Sequence, residues 1–255
     1  MASKALTPQE PAEVVDADGG RPNMHAALLL TGVVGGVIFA GLMVASAGIY
    51  DAISEADGVV GLDKPVLEWA ISLRAPNLDL WVTAFTNLGG TLPMVLIAGT
   101  LTLALALRYR RRTVWVLMAV AAAGSISFTV VGKALVGRSR PLLEYAVPPY
   151  EASFSFPSGH TLNSTVTAGM LAYLTCCLTR RRWLQVMAVV VALLWAAGMG
   201  LSRVYLGHHW PTDVMFAWMF GLGWLALLIT AHRILLRLQA RGRPASTPIS
   251  LPRGD

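Results

Sequence analysis

Charge is scarce in this chain. Only 13% of its 255 residues are Asp, Glu, Lys or Arg, about half the ~25% of an average soluble domain, and that charge is clustered rather than spread over faces. A soluble globular domain is thereby excluded, and 55% hydrophobic residues with a mean hydropathy of +0.58 exclude a disordered chain as well. Cysteine is almost absent. Cys176 and Cys177 are adjacent inside an apolar run, where a bridge between neighbours would be strained, so both read as packing residues. Acids number 14 against 20 Lys and Arg, and those after the first apolar run, Asp51, Glu55, Asp57 and Asp63, have no metal-ligand spacing and read as a solvated loop. Neither a metal nor a cofactor is expected. No internal repeat is evident, which disfavours an inverted-repeat transporter.

Long apolar runs are what the chain does have. A spanning helix needs about 20 apolar residues, and six stretches qualify: 26–50, 78–107, 114–136, 162–178, 183–201 and 212–236. The first is too long for a secretory signal, and a net acidic tail precedes it. In the second, Gly89-Gly90 followed by Pro93 predicts a kink or break. Between the first two, residues 62–73 carry Leu62, Val66, Ala70 and Leu73 on one helical face and are expected to lie along the interface. Gly32, Gly35, Gly36 and Gly41 suit close helix packing. His25, His208 and His232 read as boundary histidines, and the tryptophans as interfacial or packing residues, with Trp210 near enough to line a site. Three segments follow: a flexible cytoplasmic tail over 1–24, a membrane domain over 25–238, and a disordered cytoplasmic tail over 239–255.

Basic residues set the expected orientation. Arg108, Arg110, Arg111 and Arg112 follow the second span, Arg180 to Arg182 the fourth, and Arg233, Arg237, Arg241 and Arg243 the sixth. The positive-inside rule makes these segments cytoplasmic, puts both termini inside and turns the loops after spans one, three and five outward. Since the cations hug membrane boundaries, the net charge of +6 is a topology signal, and no nucleic-acid partner is expected.

Three polar islands interrupt this pattern, all on the non-cytoplasmic face. They are Lys133 with Arg138, Arg140 and Pro141; Pro157-Ser158-Gly159-His160; and Ser202-Arg203 with His209 and Asp213. Lys133 or Arg138 alone would pass for a snorkelling anchor, but on this face anchors are not expected to be basic. Ionisable groups near the bilayer core are costly and mark a site, and converging cations and histidines imply an anionic guest. Ser158-Gly159-His160 before a helix is an N-terminal anion site in which the serine can cap. His209 and Asp213 stand i, i+4, with Pro211 suited to the first helical position. An acid on one ring nitrogen leaves the other to attack, a second histidine can protonate a leaving group, and Lys133, Arg140 and Arg203 can neutralise a transferring phosphoryl group.

Lys133-x6-Arg140-Pro141, Pro157-Ser158-Gly159-His160 and Ser202-Arg203-x5-His209-x3-Asp213 resemble, in order and spacing, the three signature motifs of the type 2 phosphatidic acid phosphatase superfamily. The resemblance spans residues 133–213, and the flanking runs agree with the six-helix plan of its membrane members. It implies an all-α integral membrane protein, a bundle of six transmembrane helices, acting as a metal-independent lipid phosphatase of the cell membrane. By the same resemblance His209 is the nucleophile that forms a phosphohistidine, Asp213 its orienting partner and His160 the general acid. Lys133, Arg140 and Arg203 are then phosphate clamps, with Ser158 and Gly159 adding hydrogen bonds. His208 lies outside the pattern. Phosphatidate, phosphatidylglycerol phosphate and polyprenyl diphosphates such as undecaprenyl diphosphate are the substrates implied. Two alternatives stay open: a lipid phosphotransferase using the same intermediate, and an anion or lipid transporter, against which stands the lack of buried charge in spans one, two, four and five.

Overall fold

The computed structural model describes residues 24–241, and these are almost entirely helical. The long helices are α1 (Met24–Glu55), α4 (Thr91–Tyr109), α5 (Arg112–Val136), α6 (Gly159–Leu178), α7 (Arg182–Tyr205) and α8 (Pro211–Arg241); α2 (Asp63–Ser72) and α3 (Pro76–Asn87) are shorter. Five of them, α1, α4, α5, α7 and α8, are long and apolar enough to cross a membrane. The 19 residues of α4 reach roughly 28 Å at the helical rise, close to the hydrocarbon thickness.

α6 is the exception, and its position explains its composition. Thr161, Ser164, Thr165 and Thr167 are buried with Leu162, Val166, Met170 and Leu174, because α4, α5, α7 and α8 all pack around this helix. A helix enclosed by protein needs no lipid-facing apolar belt. Two of its hydroxyls bond back within the helix, Thr165 donating to the carbonyl of Thr161 at 2.8 Å and Thr175 to that of Leu171 at 2.8 Å, while Ser164 Oγ is buried without a partner. Leu162, Val166, Met170 and Leu174 recur every four residues and meet Val114, Met118 and Ala121 of α5 and Ala217 and Leu225 of α8. Since lipid tails are as apolar as leucine, close fit rather than transfer from water drives such contacts. The outer helices turn Leu29, Val33, Leu92, Val95, Leu193 and Leu194 outward instead.

The expected break in the second span is present. Gly90 is extended, α4 starts at Thr91, and Pro93 falls in its first turn, where a missing N–H costs nothing. The 30-residue run is therefore two helices, α3 and α4. Among the span-one glycines only Gly35 lies tightly against a neighbour, the Thr230 side chain of α8, whereas Gly36 and Gly41 face open space. α8 continues through Arg241, past the boundary expected at 238. The tails otherwise fall on residues 1–23 and 242–255, outside the described residues.

α2 corrects two expectations. Leu62, Val66 and Leu73 do share its exposed side, joined by Trp69, but Ala70 belongs to the opposite, buried side with Asp63 and Leu67. That buried side packs on Val204 of α7 and Val214 of α8. Asp63 is consequently 3% exposed rather than part of a solvated loop. It bonds Arg138, just after α5, and Thr212 in the first turn of α8.

Candidate active site

Each functional side chain sits where a helix starts or stops. α5 ends in a glycine cap: Gly137 takes φ +61° and its N–H bonds the Lys133 carbonyl at 3.1 Å. The chain then crosses the bundle end, carrying Arg138 and Arg140 with it. The first turn of α6 lies so close to α5 that a Cβ on Gly159 would stand 2.9 Å from Thr129 Cγ2. Ser158 precedes that turn, but its hydroxyl pairs with the Thr161 hydroxyl at 2.9 Å instead of capping the helix. After α7, Gly207 at φ +72° lies against the Tyr145 carbonyl, and Arg74 seals the junction by donating to the carbonyls of Tyr205 at 2.6 Å and Tyr145 at 2.7 Å.

His209 lies between two chemically different groups. Its Nδ1 is 3.5 Å from Asp213 Oδ2 and 3.4 Å from Ser155 Oγ, and its Nε2 is 3.2 Å from an Arg140 nitrogen. Guanidinium cannot accept a hydrogen bond. Nε2 therefore presents its lone pair toward Arg140, and the ring proton resides on Nδ1, facing the acid. Asp213, fully buried, also accepts from Ser155 Oγ, from the Trp210 amide at 3.1 Å and from Arg138 at 2.6 Å. Burial first, then Arg203 and Arg140, hold the His209 pKa well below its usual 6.5, so the imidazole is neutral.

The cations gather around one carboxylate that the motifs do not contain. Glu151, on the α5–α6 loop, accepts from Arg140 at 2.8 Å and from Arg203, and lies 3.9 Å from His160 Nδ1. Burial alone would raise its pKa, but Arg203 and Arg140, then His209 and His160, bring it down to about 2. Lys133 is tied to the same loop through Ser153 Oγ at 3.2 Å and the Phe154 carbonyl. Arg203 also donates to Thr86 of α3 at 3.3 Å, while its Nε is buried without a partner.

A cavity of about 330 Å³ opens beside these groups, lined by Lys133, Glu151, Gly159, His160 and His209 at one end and by Met94, Met118 and Val130 along its apolar length. The structure brings Lys133, Arg140, His160, Arg203, His209 and Asp213 together at this end of the bundle. Gly159 lines the cavity, whereas Ser158 is fully buried. His208, expected at a boundary, is buried and donates from Nε2 to the Val147 carbonyl at 2.7 Å; burial and Arg203 lower its pKa to about 4. Glu151, Ser155, Thr86, Arg74 and Asp63 were not singled out from the sequence as site residues. Glu151 and Asp63 carried one signal, being acids in the same inter-helix segments as arginines, Arg138 and Arg140 before Glu151 and Arg74 after Asp63.

Comparison with known proteins adds an independent observation. The model of the PAP2 superfamily matches residues 112–236, from the start of α5 to near the end of α8. Phosphatidylglycerophosphatase B of Bacillus subtilis (strain 168) is 31% identical over 182 residues, covering 68% of this chain and 85% of that protein. The chain belongs to the PAP2 superfamily. An undecaprenyl-diphosphatase of Sulfolobus acidocaldarius is 30% identical over 123 residues, 47% of this chain and 55% of that one. A solved structure described as the first transmembrane PAP2 type phosphatidylglycerolphosphate phosphatase from Bacillus subtilis superposes with a TM-score of 0.62 at 26% identity, covering 82% of this chain and 97% of that one. With five helices suited to crossing a membrane, this member of the superfamily is a multi-pass membrane protein.

Proposed function

We propose that this chain is a lipid phosphatase of the cell membrane that hydrolyses a phosphate monoester or diphosphate through a phosphohistidine on His209. The observation that carries the reading is the placement of the buried His209 ring, with Nδ1 3.5 Å from Asp213 Oδ2 and Nε2 3.2 Å from an Arg140 nitrogen. Substrate phosphate displaces the Glu151 carboxylate from Arg140 and Arg203. Nε2 attacks phosphorus, the bond to the leaving oxygen breaks, and His160 gives that oxygen a proton. Asp213 stabilises the cationic ring, and Lys133, Arg140 and Arg203 neutralise the phosphoryl oxygens, the work a metal does elsewhere. Gly159 admits the phosphate to the first-turn amides of α6, which Ser158 helps to shape. Water then adds to phosphorus with His160 as base, the P–N bond breaks, and inorganic phosphate leaves.

In this reading the membrane domain has six spans, α1 and α4 to α8, with the polar α6 shielded at the centre. The arginines at 108–112, 180–182, 233 and 237 lie at the helix ends opposite the site, which supports cytoplasmic chain ends and an active site on the outer side. The apolar length of the cavity between α4, α5 and α6 suits a lipid whose tails stay in the bilayer. The relatives' names favour phosphatidylglycerol phosphate and undecaprenyl diphosphate, with phosphatidate as a third substrate.

Phosphate release from these three lipids in detergent with EDTA, by wild type and His209→Ala, tests the reading. Release that survives EDTA and vanishes in the variant supports it. A folded wild type that frees phosphate only when an alcohol acceptor is added is a transferase instead.

A further inference from the structure

Arg138 stands two residues before Arg140, yet its side chain serves a different purpose. Arg140 faces His209 and Glu151, whereas one Arg138 nitrogen donates to Asp213 Oδ1 at 2.6 Å and to Thr212 Oγ1 at 2.8 Å, and the other donates to Asp63 Oδ2 at 2.6 Å. The planar guanidinium thus bridges two carboxylates, a task for which lysine's point charge is unsuited. Asp63 is engaged twice more. Its Oδ1 accepts the Thr212 amide at 2.9 Å, an otherwise unpaired N–H in the first turn of α8, and its Oδ2 accepts the Thr212 hydroxyl at 2.7 Å. Side-chain exposure along this chain is 5% for Asp63, 15% for Arg138 and 0% for Asp213.

We infer that Asp63 and Arg138 are positioning residues for the reaction, acting through Asp213 on His209. The inference rests on the phosphohistidine reading and extends it. Its physical basis is charge. An Arg138–Asp213 pair alone would be neutral and would offer little to an imidazole that becomes cationic on attack. With Asp63 on its second edge, the guanidinium is shared and the trio carries a net charge of −1, available to the ring when phosphorus bonds to Nε2. Geometry adds to this. The Asp63 contacts fix the guanidinium plane, which aims its other edge at Oδ1, and Ser155 and Trp210 hold Oδ2. The acid therefore has one orientation, with Oδ2 beside Nδ1. Because Asp63 belongs to α2, the interfacial helix is tied directly to the catalytic pair.

Asp63→Asn tests the inference, since it keeps the size and the acceptor for the Thr212 amide while making the trio neutral. Turnover of dioleoyl phosphatidate in dodecyl maltoside micelles is measured with wild type, Asp63→Asn, Arg138→Lys and Asp213→Asn, together with KM and melting temperature. The expected result for Asp63→Asn and Arg138→Lys is a kcat about 10- to 100-fold lower, by analogy with the loss of an outer partner that orients a metal-bound histidine, with KM nearly unchanged because neither residue touches phosphate. A lowered melting temperature with wild-type kcat in both variants marks a purely structural staple and overturns the inference. If either variant fails to fold, the other decides. An inactive Asp213→Asn beside fully active Asp63→Asn and Arg138→Lys removes this inference alone, whereas a fully active Asp213→Asn removes the phosphohistidine reading with it.

Discussion

Arg203, 1% exposed on α7, is ion-paired with Glu151 of the α5–α6 loop. The carboxylate also bonds Arg140 and faces His160, so an internal anion occupies the cradle in which the account seats phosphate. Glu151→Gln keeps the shape and removes the charge. Competitive inhibition by orthophosphate is then expected to tighten about tenfold, equivalent to ~1.4 kcal/mol. Weaker inhibition would mean that Glu151 organises the arginines for the substrate rather than competing with it.

Arg140 donates through all three nitrogens, to the carbonyls of Ser153 and His208 at 2.6 Å and to Glu151 at 2.8 Å. Lysine would preserve the charge and lose the fork. Arg140→Lys should lower kcat/KM for phosphatidate by about 10²- to 10³-fold, the scale of a lost transition-state donor. Steady-state kinetics check this, and near-normal turnover would show that charge alone suffices there.

The approach of α6 to α5 should depend on one missing methyl. Gly159→Ala puts Cβ 2.9 Å from Thr129 Cγ2, and overpacking of this kind costs about 1–3 kcal/mol. Thr129→Ser removes that methyl and retains the hydroxyl, which donates to the Ser125 carbonyl at 2.9 Å. The double variant is expected to regain most of the activity and melting temperature lost in Gly159→Ala, as measured side by side.

Stability should fall as the solution is acidified. His209 and His208 both have pKa values below the usual 6.5, His208 at about 4, through burial and then Arg203. Between those values the unfolded chain binds protons that the folded chain refuses, so stability is full above pH 6.5 and declines toward pH 4. Glu151, held at about 2 against its usual 4.5, extends the decline below pH 4.5. Melting temperatures in detergent across this range should drop steadily on acidification, and His208→Asn should flatten the upper part of the curve. A melting temperature that rises on acidification would contradict these assignments.

Much of the site was readable because its parts are local. Lys133-x6-Arg140, Ser158-Gly159-His160 and His209-x3-Asp213 are each defined within one helix end, and Gly89-Gly90 with Pro93 announced the break before α4. Partners brought in from afar were not readable. Asp63 meets Arg138 across 75 residues and Glu151 meets Arg203 across 52, and no periodicity specifies such pairings. On α2 the apolar pattern grouped Ala70 with Leu62, because helical spacing alone does not say which side of a short helix meets protein. Similarly, a serine before a helix was read as a cap, yet Thr161 provides the nearer partner for Ser158.

The central claim is a covalent bond between phosphorus and His209. Wild type is mixed with radiolabelled phosphatidate, stopped within the first turnover in alkali, where a phosphorylated imidazole survives, and the labelled peptide is mapped. The account predicts alkali-stable, acid-labile label on the peptide containing His209, with none in His209→Ala. Lipid turnover by wild type with no protein-bound label at any quench time, or equal label in His209→Ala, would contradict it.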